Sequence, residues 1–248
     1  MATVTSTPEQ GPAGNPFGNA VKVLFSPSQT FRGIAVRPSW WAPIVMIAIL
    51  SCLMTYTYGK RAGWESFMRK EIEGSSRTAQ LPAEQKERII EQQTKYAPLI
   101  GYVFSVVGPL VAVLVVGGVF LLVFNFGMAA GLTAKQYFAA AAYGWMPEAV
   151  KGLLAFPVMF LKDPDMLDIR NLVATNLAAV MDGETTAKWL LRLGSSVDLF
   201  NIWNMALISI GISTMTKGKI SFGKAFAGVL GLFLVWVLLA TGWAAIFS

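Results

Sequence analysis

Five long apolar blocks, separated by polar stretches, are the main feature of this chain. They cover residues 41–58, 101–124, 136–161, 199–215 and 224–247. An α-helix rises about 1.5 Å per residue, so roughly 20 apolar residues cross the ~30 Å hydrocarbon core of a bilayer. The pattern therefore predicts an all-α fold, a polytopic membrane helix bundle with about five transmembrane helices.

The segment before the first block has a different pattern. Residues 1–16 are rich in Thr, Pro, Gly and Ala, which is typical of a disordered tail, and we assign residues 17–248 to one membrane domain. Ser26 and Pro27 indicate a helix start, with serine as the N-cap. Residues 17–37 are predicted to form one or two short interfacial helices, a solvated arm being the alternative. No cleavable signal peptide is expected, because this segment contains no uninterrupted apolar run.

Two polar stretches, residues 59–99 and 162–198, interrupt the series of apolar blocks. Their patterns predict four helical extramembrane segments: residues 64–73, 82–96, 169–181 and 185–193. The second segment has acidic and basic residues four positions apart, which supports an exposed helix. We therefore expect a solvated helical hairpin in the first polar stretch and helical patches in the second.

Basic residues mark one side of the predicted bundle. With five spans, the side that holds the N-terminus carries Glu9 and the basic residues Lys22, Arg32, Arg37, Lys135, Lys217, Lys219 and Lys224. Lysine and arginine in short loops favour the cytoplasmic side, so we expect a cytoplasmic N-terminus and an external C-terminus. The net charge of +6 lies mainly in loops beside apolar spans, which indicates membrane lipids rather than nucleic acid as a partner.

Composition excludes several kinds of site. The chain contains no histidine, which removes Ser-His and Cys-His catalysis, histidine metal ligands and histidine pH sensing. Cys52 is the single cysteine, so neither an intrachain disulfide nor a cysteine metal framework is expected. The sequence has no phosphate-binding loop or catalytic motif. We therefore expect no enzyme activity, no cofactor and no metal.

Glu148 and Lys151 are the main polar candidates, because they interrupt the third block next to Pro147. Charged residues inside a membrane are costly unless they are paired or turned toward a polar interior. Their i,i+3 spacing places them on one helix face, where we predict that they neutralise each other. One interpretation is a polar pocket or ion path. The alternative is that the third block consists of two shorter segments, with residues 147–151 near an interface.

The weaker candidates are three asparagines, Asn125, Asn201 and Asn204, and four glycines, Gly117, Gly118, Gly127 and Gly131. The asparagines are predicted to hydrogen-bond between helices, or else to line a polar cavity. The first two glycines would let another helix approach closely, and the last two form a G-x-x-x-G at the membrane edge. The acids of residues 163–168 are interpreted as a turn rather than a Ca²⁺ loop, and residues 195–198 as a helix cap.

Four segments carry a resemblance to a known family. They are residues 24–31 (LFSPSQTF), 37–43 (RPSWWAP), 198–203 (DLFNIW) and 221–225 (SFGKA). With these segments in this order, the chain resembles the prokaryotic branch of the YIP (Ypt-interacting-protein) domain family over residues 17–248. The resemblance implies a five-span protein with a cytoplasmic N-terminus, here in a bacterial inner membrane. Eukaryotic members bind Rab-type GTPases, but the short tail lacks their long cytoplasmic region. Some bacterial relatives look like accessory subunits of ABC-type exporters.

Three functions are compatible with these features. The first is a non-enzymatic membrane scaffold or accessory subunit, which binds another membrane protein such as an ABC-type exporter or forms a homo-oligomer. The second is a small transporter or channel centred on Glu148, Lys151, Asn125 and Asn201. The third is a membrane enzyme acting on lipid-linked substrates, which the missing histidine and the lack of clustered acids make the weakest.

Overall fold

The computed structural model describes residues 15–75, 77–169, 171–182 and 185–247. Within these ranges the regular structure is helical, and the one β-type pairing is an isolated bridge between Asn176 and Asp198. The all-α prediction is therefore confirmed. The predicted disordered tail lies outside the described residues except for Asn15, which caps the first helix, and Pro16, which begins it.

Two short helices, α1 (Pro16–Lys22) and α2 (Pro27–Val36), precede the first apolar block, as predicted. Ser26 is the N-cap residue of α2 and Pro27 occupies its first turn. The apolar face of α2 does not face lipid, because Phe31 is fully buried against helix α9 (Leu199–Met215). A Cβ added at Gly211 of α9 would lie 2.9 Å from the Phe31 ring, so glycine makes this close contact feasible.

The five apolar blocks form helices that run lengthwise through a single bundle. The blocks form α3 (Trp41–Arg61), the second half of α5 (Ala83–Phe120) with its π-helical extension (Leu121–Phe126), the pair α6 (Ala134–Gly144) and α7 (Met146–Leu161), α9, and α10 (Phe222–Phe247). At one end, the N-terminal end, the Lys219 ammonium donates a hydrogen bond to the Ala129 carbonyl. At the other, the loop end, the Arg61 Nε donates to the Met159 carbonyl at 3.1 Å. These two contacts mark the two ends of the bundle.

Among the described residues, three helices are long and apolar enough to cross a membrane: Trp41–Arg61, Ala83–Phe126 and Phe222–Ala245. The polytopic membrane bundle is thereby supported, and the count of five spans stays a prediction. The helix α9 has 17 residues and is largely enclosed by other helices, with Ile212 fully buried.

The third block is not one helix. The helix α6 ends at Gly144, Trp145 connects the two segments, and α7 begins at Met146. Pro147 has no N–H to donate, and its ring excludes the carbonyl of a preceding helical turn, so it fits the first turn of a new helix. One continuous helix over residues 136–161 is therefore wrong, since the block consists of two shorter helical segments. The position of residues 147–151 near an interface stays a prediction.

The first polar stretch forms the predicted helical hairpin. The helix α4 (Trp64–Glu73) has the predicted bounds, and Arg69 joins it to α5 through two hydrogen bonds to Glu87, at 2.6 and 3.2 Å. The helix α5 continues through Pro98 and Pro109 into the membrane segment, so separate helices for residues 82–96 and 101–124 are wrong. A proline inside a helix removes one backbone hydrogen bond. The other backbone hydrogen bonds of this long helix outweigh that loss.

The second polar stretch contains α8 (Lys188–Ser196), displaced by a few residues from the prediction. The predicted helix over residues 169–181 is wrong, because this part is irregular apart from a 3₁₀ turn at Leu177–Val180. Leu167 and Leu172 are buried in a small core with Tyr58 and Met159.

Candidate functional site

The polar candidates gather where α7 lies beside α9. A Cβ on Gly144 would stand 2.2 Å from Ile208 Cγ1, so the absence of a side chain lets the end of α6 contact α9 closely. Glu148, one turn further on, faces Asn204, and Lys151 faces Asp198. The direction of this series shows that the two segments run antiparallel.

Glu148 is bonded to α9 rather than to Lys151. Its Oε1 accepts a hydrogen bond of 2.7 Å from Nδ2 of Asn204. Asn204 is buried, and its Oδ1 has no hydrogen-bond partner among the described residues. Asn204 therefore forms a hydrogen bond between two helices, as predicted.

Lys151 forms an ion pair with Asp198, with 2.9 Å between Nζ and Oδ2. The hydroxyl of Thr175 donates to the same oxygen at 3.0 Å, and the backbone N–H of Phe200 donates to Oδ1 at 2.7 Å. Asp198 is thus the N-cap of α9, as predicted, and also the counter-ion of Lys151. Burial opposes ionisation of the carboxyl group, but the hydrogen bonds from Lys151 and Phe200 outweigh it, so the pKa of Asp198 lies below its ordinary value.

Glu148 and Lys151 therefore each pair with a residue at α9 and not directly with each other. Their common helix face was inferred correctly, but that face is turned toward α9, where each side chain finds its own partner. Asp198 and Thr175 were missed as site residues. Asp198 could have been found by pairing α7 with α9 in antiparallel directions from the Asp198 cap, because this pairing places Asp198 beside Lys151.

Asn125 belongs to a separate site at the N-terminal end. Its Oδ1 accepts hydrogen bonds from the Tyr137 hydroxyl at 2.8 Å and from the Gly131 N–H at 3.0 Å, while its Nδ2 donates to the Leu132 carbonyl at 2.8 Å. These bonds hold the turn between the π-helical segment and α6, in which Gly131 has a φ of +76°. Asn201 also bonds locally, since its Nδ2 donates to the Ser196 carbonyl at 3.1 Å.

The four glycines have different surroundings. A Cβ on Gly117 would meet the Phe138 ring at 2.5 Å, so this glycine lets α5 approach α6. A Cβ on Gly118, Gly127 or Gly131 would meet no atom of the described chain within 4 Å. The G-x-x-x-G therefore makes no close helix contact within the described chain, and its packing role stays a prediction for contacts with another molecule.

Among the remaining acidic residues, Asp163 has a structural role. Asp163 is the N-cap of a 3₁₀ turn at Pro164–Met166, which agrees with its interpretation as a turn residue. Across the described ranges, no group of three or more Cys, Asp or Glu residues is arranged to hold a metal ion. The chemistry available at the α7–α9 contact is hydrogen bonding and ion pairing between helices.

Comparison with known protein families gives one match. A family model described as Yip1 domain matches residues 21–244, which is nearly the whole chain. Comparison with curated proteins and with solved structures finds no match.

Proposed function

The chain belongs to the Yip1 domain family, and from this membership we propose that it is a non-enzymatic membrane scaffold or accessory subunit that associates with another membrane protein. The observation that carries the proposal is the pairing of the polar side chains at the α7–α9 contact. Glu148 is bonded to Asn204 and Lys151 to Asp198, so these side chains join α7 to α9. Groups paired in this way stabilise a fixed arrangement of helices.

The surface that would receive a partner helix lies on α5 and α10. Gly118 of α5 and Gly231 of α10 each have open space where a side chain would stand. Val115 and Leu122, near Gly118 on α5, are exposed. Helices associate in a membrane chiefly through close packing, and small residues allow the backbones to approach. An ABC-type exporter is the partner that the family resemblance implies, and a second copy of the chain is the alternative partner.

Association can be tested by mild extraction from native membranes, followed by mass spectrometry of the proteins that co-purify in stoichiometric amount. Gly118→Leu and Gly231→Leu would each fill one of the two open positions. Val115→Leu places the same leucine side chain near Gly118 without filling its open position and serves as the control. Loss of the partner from one glycine variant supports the proposal. A solitary monomer of the unaltered chain under the mildest extraction would overturn it.

A small transporter or channel is the second candidate. Asn204 Oδ1 favours it, because this buried acceptor has no partner among the described residues and lies beside Glu148. Against it, Asn125 belongs to the other end of the bundle, and buried Ile208 and Ile212 occupy α9 beyond Asn204. A flux through the reconstituted chain that Glu148→Gln abolishes would favour the transporter over the scaffold.

The topology that accompanies the proposal has five membrane crossings in a bacterial inner membrane. In this topology α9 and the α6–α7 pair cross inside the bundle, where protein side chains cover much of their surface. The N-terminal end would face the cytoplasm, since it carries Lys217 and Lys219 in the turn before α10 and Lys224 in the first turn of α10.

A further inference from the structure

A cavity of about 920 Å³ lies between α3, α4 and α5 near the loop end of the bundle. The indole of Trp64 forms part of its wall and lies in space left by two glycines. A Cβ on Gly59 would stand 2.5 Å from the indole Nε1, and one on Gly101 would stand 3.0 Å from the ring. The wall therefore depends on glycines in two different helices. The volume lies in the upper part of the ~300–1,000 Å³ range of small-molecule sites.

Two polar side chains of the inner wall, Thr55 and Ser105, are hydrogen-bonded to each other. Ser105 Oγ donates to the Gly101 carbonyl at 2.9 Å, and its distance to the Thr55 hydroxyl is 2.8 Å. Because the single serine proton is used on the carbonyl, Thr55 donates to Ser105. Phe67, Met68 and Ile169 supply apolar lining beside this pair. A water molecule at this wall would find few hydrogen-bond partners. A hydrocarbon chain forms no hydrogen bonds and would therefore lose none there.

The change from charged to apolar surface along α5 occurs beside this cavity. On α5 the charged surface of the hairpin ends at Lys95, and exposed apolar side chains begin at Leu99. The cavity extends from Gln92 above this change to Phe104 below it. Trp64 and Tyr96, both in the lining, are residue types that favour the interface of a bilayer.

The rim of the cavity opens toward lipid rather than toward protein. Ile100 and Phe104 lie on this rim with 52% and 70% of their surface exposed. The exposed apolar surface continues along α5 through Val103 and Val107. A lipid acyl chain next to α5 thus has a continuous apolar path into the cavity.

The polar lining at the upper rim consists of the Gln92 and Gln93 amides and the Tyr96 hydroxyl. These groups donate hydrogen bonds to ester carbonyl oxygens. The lining residues include no lysine, arginine, aspartate or glutamate. The chemistry therefore suits the glycerol ester region of a lipid, and it provides no charge to select the phosphate or the headgroup.

From these observations we propose that the cavity is a binding site for a membrane glycerophospholipid, with one acyl chain inserted between α3, α4 and α5. The ester region lies at Gln92, Gln93 and Tyr96, and binding is independent of headgroup charge. This site does not depend on the proposed scaffold function.

The test uses the full chain in vesicles of dioleoylphosphatidylcholine that contain a small fraction of a phosphatidylcholine with a diazirine in one acyl chain. After irradiation, mass spectrometry of peptides locates the labelled residues. Residues 64–68 of α4 are the informative segment, because α4 belongs to the polar hairpin and bulk lipid chains reach it through the cavity alone. We expect strong labelling there, and equal labelling when the probe lipid has a phosphatidylglycerol headgroup.

Ile100→Trp fills the rim of the cavity and is expected to lower labelling of residues 64–68 several-fold. Val103→Trp is the matched control, since Val103 is 50% exposed on the same helix and lies outside the lining. Ser51→Trp fills the cavity from α3 and replaces Ile100→Trp in the test if that variant aggregates. Labelling of residues 64–68 that is no greater than that of residues 185–187, or that persists in a folded filling variant, would overturn the proposal.

Discussion

Lys151 of α7 and Asp198 at the start of α9 form a partly buried ion pair, 2.9 Å between Nζ and Oδ2, that joins two segments 47 residues apart. Asp198 is 2% exposed, and its second oxygen caps α9. Removing one member of a buried pair leaves the other charge without its partner. The pair is therefore expected to stabilise the α7–α9 contact in a way that an exposed pair does not.

Asp198→Ala is predicted to lower the free energy of unfolding by about 2–4 kcal/mol, since it removes both a buried counter-ion and a helix cap. Unfolding in mixed SDS micelles measures this change. Glu84→Ala is the control, because Glu84 forms an equally short pair with Arg88 in which both side chains are more than three-quarters exposed. The control is expected to change stability by about 0.5 kcal/mol or less. Equal effects of the two variants would contradict the assigned role of Asp198.

The lowered pKa of Asp198 predicts a specific dependence of stability on acid. A carboxyl group with a lowered pKa in the folded state contributes stability above its unfolded pKa, about 3.9 for aspartate, and loses it as the pH falls through the folded value. The stability difference between the unaltered chain and Asp198→Asn should therefore be constant from neutral pH to about pH 5 and shrink below about pH 4. Unfolding measured across this range checks the prediction, and a difference that grows on acidification would contradict it.

Local signals in the sequence account for the parts of the fold that were predicted well. Ser26 followed by Pro27 gives the start of α2, and the bounds of α4 follow from its amphipathic pattern. The partner of Lys151 could not be obtained this way, because Asp198 reaches it through the antiparallel packing of two helices. The irregular course of residues 169–181 has a similar cause, since burial of Leu167 and Leu172 outweighs local helix preference. The lipid cavity likewise requires three helices to come together.

Glu148 and Asn204 allow a test of whether the partly buried carboxylate joins helices or carries ions. Glu148→Gln keeps an oxygen that accepts the hydrogen bond from Asn204, so the scaffold proposal predicts unchanged co-purification of the partner and nearly unchanged stability. Asn204→Leu removes the donor to a partly buried carboxylate and is expected to destabilise by about 1–3 kcal/mol. Thermal unfolding in detergent measures both variants. Loss of partner binding in Glu148→Gln with retained stability would contradict a purely structural role for Glu148.

Gly117 and Gly118 are neighbours with opposite predicted responses to substitution. Gly117→Ala places a Cβ against the Phe138 ring and is expected to destabilise by about 1–3 kcal/mol, the usual cost of overpacking. Gly118→Ala places a Cβ in open space, and alanine is favoured over glycine inside a helix by roughly 1 kcal/mol. We therefore expect Gly118→Ala to be neutral or stabilising. The midpoint of thermal unfolding compares them, and similar losses in both would show that the α5–α6 contact is not the one described.

The proposed topology predicts which cysteines an impermeant reagent can reach. In a Cys52→Ser background, Ser221→Cys lies in the basic turn of the N-terminal end, and Glu84→Cys lies in the exposed hairpin of the loop end. An impermeant maleimide added to intact cells should label the second and not the first, because a cytoplasmic basic turn is shielded by the membrane. Permeabilised cells provide the control, since both cysteines should then react. Labelling of Ser221→Cys in intact cells would reverse the orientation, while labelling of both positions would place both ends of the bundle outside and exclude five crossings.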